Sequence, residues 1–153
     1  MFLRNCWYVV AWEHEVGPDA LFARTVLGEP LLVYRKSDGG LVALEDRCCH
    51  RLAPLSVGRK EGDCVRCMYH GLKFDPDGAC VEAPGLDRVP PKARVRSYPV
   101  VSRNRWIFVW MGDPDRADVA LLPQGTLERS QGKAVRVVDL RTAGLAAPTL
   151  AVV

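Results

Sequence analysis

The amino-acid sequence predicts an all-β protein whose antiparallel sheets form a sandwich or a small barrel. Three observations support this. Short runs of aromatic and β-branched residues recur over the first 112 positions, turn residues separate these runs, and helical patterns are scarce. Sheets of such short strands are stable when each buries one face against another layer. With 153 residues, 48% of them apolar, the chain is long enough to form one such core.

The strands are expected in a regular order along the chain. They cover 7–12, 30–35, 41–45, 63–66, 72–74, 79–82, 93–101 and 105–111. A Ser-Asp-Gly-Gly turn at 37–40 favours a hairpin between the second and third of them. An Asp-Pro-Asp-Gly turn at 75–78 joins the fifth to the sixth. Helix is expected only as short turns after Trp12 and near 115–121.

The C-terminal segment differs in composition from the rest of the chain. Residues 124–132 are polar, residues 133–140 have the composition of one more strand, and no charged residue follows Arg141. A segment of this length is too short to form a domain. We therefore expect one domain over 1–122 and interpret 123–153 as a tail, a truncation remnant.

Composition and charge exclude several classes of function. The net charge is +3, and the lysines and arginines are scattered along the chain, which makes nucleic acid an unexpected partner. The N-terminus lacks the apolar stretch of a signal peptide, and no run of eighteen apolar residues predicts a membrane span. These observations indicate a cytoplasmic protein with reduced thiols.

Two cysteine and histidine pairs carry the chemistry of this sequence. They are Cys48 with His50 and Cys67 with His70, and together they form the pattern C-x-H-x16-C-x2-H. The spacing resembles the ligand set of a Rieske [2Fe–2S] cluster, in which two imidazoles replace two thiolates on one iron. Cys48 and Cys67 would then bind one iron and the two histidines the other. Such a centre transfers single electrons.

A structural zinc site is the alternative interpretation of the same residues. Cys64 and Cys67 form a C-x2-C pair, and Cys48 or Cys49 with a histidine would complete four ligands. Against this alternative, residues 63–67 have the pattern of a strand end, where Cys64 and Cys67 lie on opposite faces. A zinc knuckle also prefers a glycine-rich turn between its cysteines.

About the first 125 residues resemble the N-terminal Rieske domain of ring-hydroxylating oxygenases. Within that family they are most similar to the group that includes the vanillate O-demethylase and phthalate dioxygenase oxygenase components. The similarity lies in four stretches: NCWYVVA at 5–11, EDRCCHRLAPLS at 45–56, YHGLKF at 69–74 and IFVWMGD at 107–113. Cys49 departs from the pattern, since that group usually has proline there, but it removes no ligand.

The resemblance implies an electron-entry domain that receives electrons from a reductase or ferredoxin and passes them to an oxygenase catalytic domain. The catalytic domain of this family holds a mononuclear iron with two histidines and a carboxylate. This chain has three histidines, and only His14 remains after the two cluster ligands are assigned. Three explanations stay open: a truncated or frameshifted oxygenase, a stand-alone Rieske ferredoxin, or a zinc-stabilised binding module.

Overall fold

Residues 2–117, which the computed structural model describes, form an almost entirely β structure, as the sequence predicts. Two short 3-10 helices, Glu13–Glu15 and Pro114–Arg116, are its helical elements. Its strands are β1 (Cys6–Trp12), β2 (Phe22–Val26), β3 (Glu29–Arg35), β4 (Leu41–Glu45), β5 (Arg59–Glu61), β6 (Cys64–Arg66), β7 (Lys73–Phe74), β8 (Cys80–Glu82), β9 (Ser97–Tyr98), β10 (Val100–Arg103) and β11 (Trp106–Met111).

The strands pair into three antiparallel sheets. Sheet A has the order β1-β11-β10, sheet B the order β2-β3-β4-β9, and sheet C the order β5-β6-β7-β8. Sheet A therefore joins the first and last strands of the described chain, and sheet C is a local unit formed between β4 and β9. The loops before β5 and after β6 of sheet C contain the two cysteine and histidine pairs.

Sheet B lies between two hydrophobic cores, and β3 shows why. Leu31, Leu32, Val33 and Tyr34 are all fully buried, so this strand has no solvent-facing side. Because successive side chains of a strand point to opposite faces, Leu31 and Val33 pack into one core and Leu32 and Tyr34 into the other. A run of four buried residues is the pattern expected of a strand that is covered on both faces.

The two cores have different roles. The first contains residues of sheets A and B, and its buried members are Val10, Ala11, Val16, Val26, Leu31, Val33, Ala43, Tyr98, Ile107, Val109 and Met111. The second contains residues of sheets B and C, and its buried members are Leu32, Tyr34, Val42, Leu44, Cys48, Leu55, Val65, Cys67, Phe74, Cys80, Ala83 and Val95. Two of the predicted ligands are thus part of a hydrophobic core.

Three features of the fold differ from the sequence-based expectation. No strand is predicted at β2 or at β5, and β5 is a charged Arg-Lys-Glu segment that extends because it pairs with β6. The strand expected over 93–101 is divided: β9 pairs with β4 in sheet B, and β10 pairs with β11 in sheet A. Pro99 stands at the division, where the missing backbone N–H interrupts the ladder.

Two further expectations concern the chain ends and the membrane. The tail expected over 123–153, with its additional strand at 133–140, lies outside the described residues. Among residues 2–117, no helix is long and apolar enough to cross a membrane. The chain up to Pro114 forms one compact unit, to which nearly all of the described residues belong.

We expect Leu31→Ala to lower the free energy of unfolding by about 2–5 kcal/mol, because it removes a fully buried side chain between sheets A and B. Leu3→Ala is the matched control, since Leu3 is 68% exposed, and it should change stability by less than about 0.5 kcal/mol. Urea unfolding followed by tryptophan fluorescence measures both. A loss below about 1 kcal/mol in Leu31→Ala would contradict close packing of this core.

Candidate metal centre

Two loops of the second core carry the four predicted ligands. The first loop connects β4 to β5 and contains Cys48 and His50, and the second connects β6 to β7 and contains Cys67 and His70. The structure brings these pairs together: the imidazole ring centroids of His50 and His70 are 4.6 Å apart. Both cysteines are buried, each 2% exposed, whereas both histidines are exposed. Thiols therefore lie inside the protein and imidazoles at its surface.

The first loop is closed by backbone hydrogen bonds around its cysteine. The Cys48 amide donates to the Ala53 carbonyl at 2.8 Å, and the Leu52 amide donates to the Cys48 carbonyl at 2.8 Å. A buried carboxylate also connects the start of this loop to its end. Asp46, which is 7% exposed, accepts hydrogen bonds from the Ser56 amide (2.7 Å) and hydroxyl (2.6 Å). These bonds hold the two ends of the loop together.

The second loop repeats the backbone arrangement of the first. The Cys67 amide donates to the Leu72 carbonyl at 2.8 Å, and the Gly71 amide donates to the Cys67 carbonyl at 3.1 Å. Its brace is a guanidinium group. Arg66 donates to the Gly71 carbonyl at 2.7 Å and forms a bidentate pair with Glu82, with both distances 2.9 Å. The two loops are thus equivalent in backbone geometry but differ in their supporting side chains.

A small network of charges keeps the Arg66 brace in place. Glu61 accepts hydrogen bonds from Arg66 Nε and Arg59 Nε, both at 2.7 Å, and Lys73 Nζ lies 3.5 Å from it. The hydrogen bond from Arg66, followed by that from Arg59, lowers the pKa of Glu61 to about 2. Because the pKa of Glu61 is lowered in the folded state, its ion pairs with Arg66 and Arg59 stabilise the fold above pH 4.5. This stabilisation is lost as the pH falls toward 2.

The two loops also approach each other where the first ends. A Cβ atom added to Gly58 would lie 2.2 Å from the Arg66 carbonyl oxygen and 2.9 Å from that of Leu55. Such contacts are too short for any side chain, so glycine is required here. The backbone immediately before Cys67 therefore packs directly on the end of the first loop.

The buried thiol of Cys48 is hard to ionise unless a cation binds it. Burial raises the pKa of the Cys48 thiol to about 11, and the neighbouring Cys67 side chain adds to this rise against a backbone hydrogen bond from His50 that lowers it. Bound metal deprotonates coordinating thiols, so binding at this pair releases protons. Cationic metal would compensate for the burial of two adjacent thiolates.

The four predicted ligands divide into a buried pair of thiols and an exposed pair of imidazoles. Among residues 2–117, no group of three or more His, Cys, Asp or Glu side chains is placed to hold one metal ion. Cys64 of the zinc alternative lies in β6, where burial raises the pKa of its thiol. A pair of thiols and a separate pair of imidazoles fits the donor set of a [2Fe–2S] cluster with mixed ligands.

The other cysteines and the remaining histidine are not among the four predicted ligands. All six cysteines are free thiols; Cys49 is exposed, while Cys64 and Cys80 belong to strands of sheet C. His14 is exposed, and its ring centroid lies 6.3 Å from that of Trp12.

Comparison with known proteins identifies the family. Residues 6–99 match the model of the Rieske [2Fe-2S] domain, which is more than half of the chain. The chain belongs to the Rieske [2Fe–2S] domain family. It therefore binds a [2Fe–2S] cluster, and its fold is the one that the sequence resemblance implies. A centre of this kind gains or loses one electron at a time.

The relatives of this Rieske domain include oxygenase components. It is 64% identical over 118 residues to the toluene-4-sulfonate monooxygenase system iron-sulfur subunit of Comamonas testosteroni, covering 77% of this chain and 34% of that protein. It is 46% identical over 123 residues to the dicamba O-demethylase oxygenase component of Stenotrophomonas maltophilia, covering 80% and 36%. The chain thus spans about a third of the length of these relatives.

A solved structure gives the same result. The crystal structure of dicamba monooxygenase with non-heme iron and dicamba superposes with a TM-score of 0.72 at 46% identity, covering 76% of this chain and 36% of that one. The match extends to a vanillate O-demethylase oxygenase subunit of a Pseudomonas species, 38% identical over 122 residues. The resemblance to the vanillate O-demethylase group, inferred from the sequence, is confirmed.

Sequence reasoning identified the four predicted ligands but not the residues that support them. Asp46 and Ser56 are ten positions apart, and no local pattern pairs them. Arg66 directly precedes Cys67, yet two of its partners, Glu61 and Glu82, come from other strands of sheet C, β5 and β8. Its third partner, Gly71, lies in the second loop. The proximity of Asp46 to the first motif is the one signal that could have pointed to a bracing role.

We expect Asp46→Ala to lower the free energy of unfolding by about 2–4 kcal/mol, because it leaves the Ser56 amide without its charged acceptor. Ser56→Ala keeps that amide bond and loses only the hydroxyl, so it should cost about 1 kcal/mol. Anaerobic urea unfolding followed by fluorescence compares the two variants. Equal losses would show that the carboxylate does not hold the loop through the backbone.

Proposed function

We propose that Cys48 and Cys67 ligate one iron of the cluster and that His50 and His70 ligate the other. The observation that carries this assignment is the equivalence of the two loops, each of which turns one thiol inward and presents one imidazole outward. Burial of the thiol pair suits sulfur ligands, and the 4.6 Å approach of the imidazole rings suits a shared metal. When bound, the cluster supplies a site that accepts and releases one electron.

The surface position of the imidazoles determines where electrons enter and leave. His50 and His70 are exposed, while the thiol side of the site faces the second core and is closed to a partner protein. Electron transfer between proteins requires a short path between centres, and the imidazole edges offer it. Electrons therefore pass through the surface formed by the two ligand loops.

The chain acts as the electron-entry domain of an oxygenase or demethylase of the aromatic-ring type. The names of its relatives, which include a toluenesulfonate monooxygenase subunit and a dicamba O-demethylase component, support this substrate class. A reductase or ferredoxin is the electron donor, and an oxygenase catalytic domain is the acceptor. The Rieske domain extends over 1–122, residues 123–153 are a tail, and the free state of all six cysteines is consistent with a cytoplasmic location.

The oxygen-activating iron of such an oxygenase needs residues beyond these 153. The sequence contains three histidines, of which two are assigned to the cluster. His14 alone does not form the two-histidine and one-carboxylate site that such iron uses. The acceptor site is therefore supplied by polypeptide other than the one described.

A stand-alone Rieske ferredoxin that serves a separate oxygenase is the second candidate. The observation in its favour is that the compact unit up to Pro114 contains both hydrophobic cores and both ligand loops. A unit with its own cores is able to fold and carry electrons without a covalently attached catalytic domain. The two candidates share the cluster and the electron path, and differ in where the acceptor lies.

We expect substitution of any proposed ligand to abolish or convert the Rieske signal. Cys48→Ser, Cys67→Ser, His50→Ala and His70→Ala each remove one donor to iron, and thus should change the electron paramagnetic resonance spectrum of the reduced protein. Matched controls are Cys49→Ser, Cys64→Ser and Cys80→Ser, which leave the donor set intact. These three should retain the spectrum of the parent protein.

Two results would contradict this ligand assignment. Loss of the signal in Cys64→Ser with retention in His70→Ala would indicate a different ligand set. A purified protein that is colourless and contains zinc in place of iron would favour the zinc-stabilised module.

We expect two irons per chain in the purified protein, both belonging to the cluster. After mild chelation that spares the visible spectrum, elemental analysis should still give two, because no two-histidine site for a further iron is available in this sequence. Retention of a third iron, lost selectively in His14→Ala, would overturn the view that the acceptor site is supplied elsewhere.

A further inference from the structure

One side of sheet A carries all four tryptophans of the chain. In β11, Ile107, Val109 and Met111 belong to the core between sheets A and B. The alternate residues of β11 therefore point away from sheet B, and their cross-strand neighbours in β1 share that side. These pairs are Trp106 with Trp12, Phe108 with Val9, and Trp110 with Trp7. We call this side of sheet A the outer face.

The outer face is apolar and partly exposed. Val9 is 49% exposed and Trp12 is 40% exposed. The ring centroids of Trp12 and Trp106 are 3.3 Å apart, so these two indoles form a stacked pair. Val101 in β10 lies opposite Phe108 and continues the apolar surface to the other edge of the sheet. Clustered apolar side chains that stay accessible to solvent mark sites of interaction.

Two opposite charges flank the accessible end of the outer face. This end carries Trp12, since Trp110 toward the other end is buried. Arg103 in β10 lies opposite Trp106, so the row across the three strands is Trp12, Trp106 and Arg103. Beyond Trp12, the Glu15 carboxylate accepts a hydrogen bond from the Trp12 amide at 2.6 Å. Within residues 2–117, neither Glu15 nor Arg103 forms an ion pair. The row therefore has one uncompensated charge of each sign.

A second copy of the chain complements this pattern. A two-fold axis parallel to the strands places β1 of one copy over β10 of the other and β11 over β11. Packed sheets keep their strand directions within about 30°, so the rows stay aligned. Arg103 of one copy then lies over Trp12 and beside Glu15 of the other, and the same contact occurs twice. The next row pairs with itself without burying a charge, because its members are Val9, Phe108 and Val101.

A groove beside Trp12 has room for the incoming guanidinium group. Its volume is about 550 Å³, and its lining includes Trp12, Trp106, Glu15 and Arg24. The Arg24 side chain is already engaged, because its Nε donates to the Val10 carbonyl at 2.9 Å and its guanidinium carbon lies 5.4 Å from the Phe22 ring centroid. Glu15 is therefore the charged group of the groove that an arginine from another copy would meet.

We propose that the outer face of sheet A is an interface between two copies of this chain, related by a two-fold axis parallel to its strands. The ligand loops belong to the core between sheets B and C, and sheet B separates them from sheet A. Association through the outer face leaves the ligand loops of both copies accessible. The dimer thus has two sites of electron entry, and its formation does not depend on the identity of the metal.

The first test exchanges the two charges of the row. In sedimentation equilibrium at about 100 μM, the full chain with its cluster should show twice the mass of the 17.0 kDa chain. Arg103→Glu and Glu15→Arg each place like charges opposite one another twice, so each should raise the dissociation constant about a hundredfold. An equimolar mixture of the two variants restores both pairs of opposite charges and should sediment as a dimer. Arg88→Glu, in the exposed β8–β9 loop, is the matched control and should remain dimeric.

The second test addresses the apolar row and separates association from folding. Val9→Thr keeps the shape of the side chain but places a hydroxyl in the interface, so the dissociation constant should rise about tenfold. The thermal midpoint of the monomer should stay that of the parent, because Val9 is half-exposed in the monomer. Val81→Thr makes the same change at a valine of equal exposure, 50%, on β8 of sheet C and should leave the dissociation constant unchanged.

Three results would overturn the interface. A monomeric parent protein would assign the outer face to a different chain, such as an oxygenase catalytic domain. A parent dimer that persists in Arg103→Glu would place the contact on another surface. A mixture of the two charge variants that stays monomeric would contradict the two-fold arrangement. The electron paramagnetic resonance spectrum keeps these outcomes apart from the proposed function: a Rieske spectrum in monomeric variants leaves that function standing, and its absence from the parent would overturn it whether or not the chain dimerises.

Discussion

The structure depends on one constraint: each of two short loops must bury a thiol and expose an imidazole within a few residues. Both loops meet it in the same way, with the cysteine amide donating to the carbonyl five positions later and the amide four positions later donating back to the cysteine carbonyl. The cysteine is thereby enclosed, and the residues between it and the closing bonds are directed outward. The same backbone geometry would present the mixed thiolate and imidazole donor set that we propose.

Sheet B connects that constraint to the stability of the fold. Its central strands β3 and β4 are covered on both faces, and the core shared with sheet C includes Cys48 and Cys67 themselves. Packing therefore holds these two thiols in position, and metal bound at them, as proposed, would stabilise the same core. The first core, between sheets A and B, contains none of the proposed ligands and serves as a frame.

The two ligand loops are held by hydrogen bonds on the side that faces the protein and carry exposed side chains on the side that faces solvent. Asp46 and Arg66, each with several hydrogen bonds, hold the loops from the protein side. On the solvent side the side chains of Leu52, Met68 and Tyr69 are exposed, and the backbone of Leu52 lies in the left-handed region with φ 57°. Precise ligand geometry and an exposed contact surface thus come from the same two loops.

The sequence by itself determined the fold class and most of the strands, and it predicts the four ligands, because strand periodicity, turn residues and ligand spacing are local patterns. Only the tertiary structure decided that Arg59–Glu61 is a strand, that the segment around Pro99 crosses between two sheets, and that Asp46 braces Ser56. Each of these depends on a partner distant in sequence or on a ladder that the segment joins. The left-handed conformation of Leu52 belongs to the same group, since it follows from loop closure around Cys48 and not from any preference of leucine.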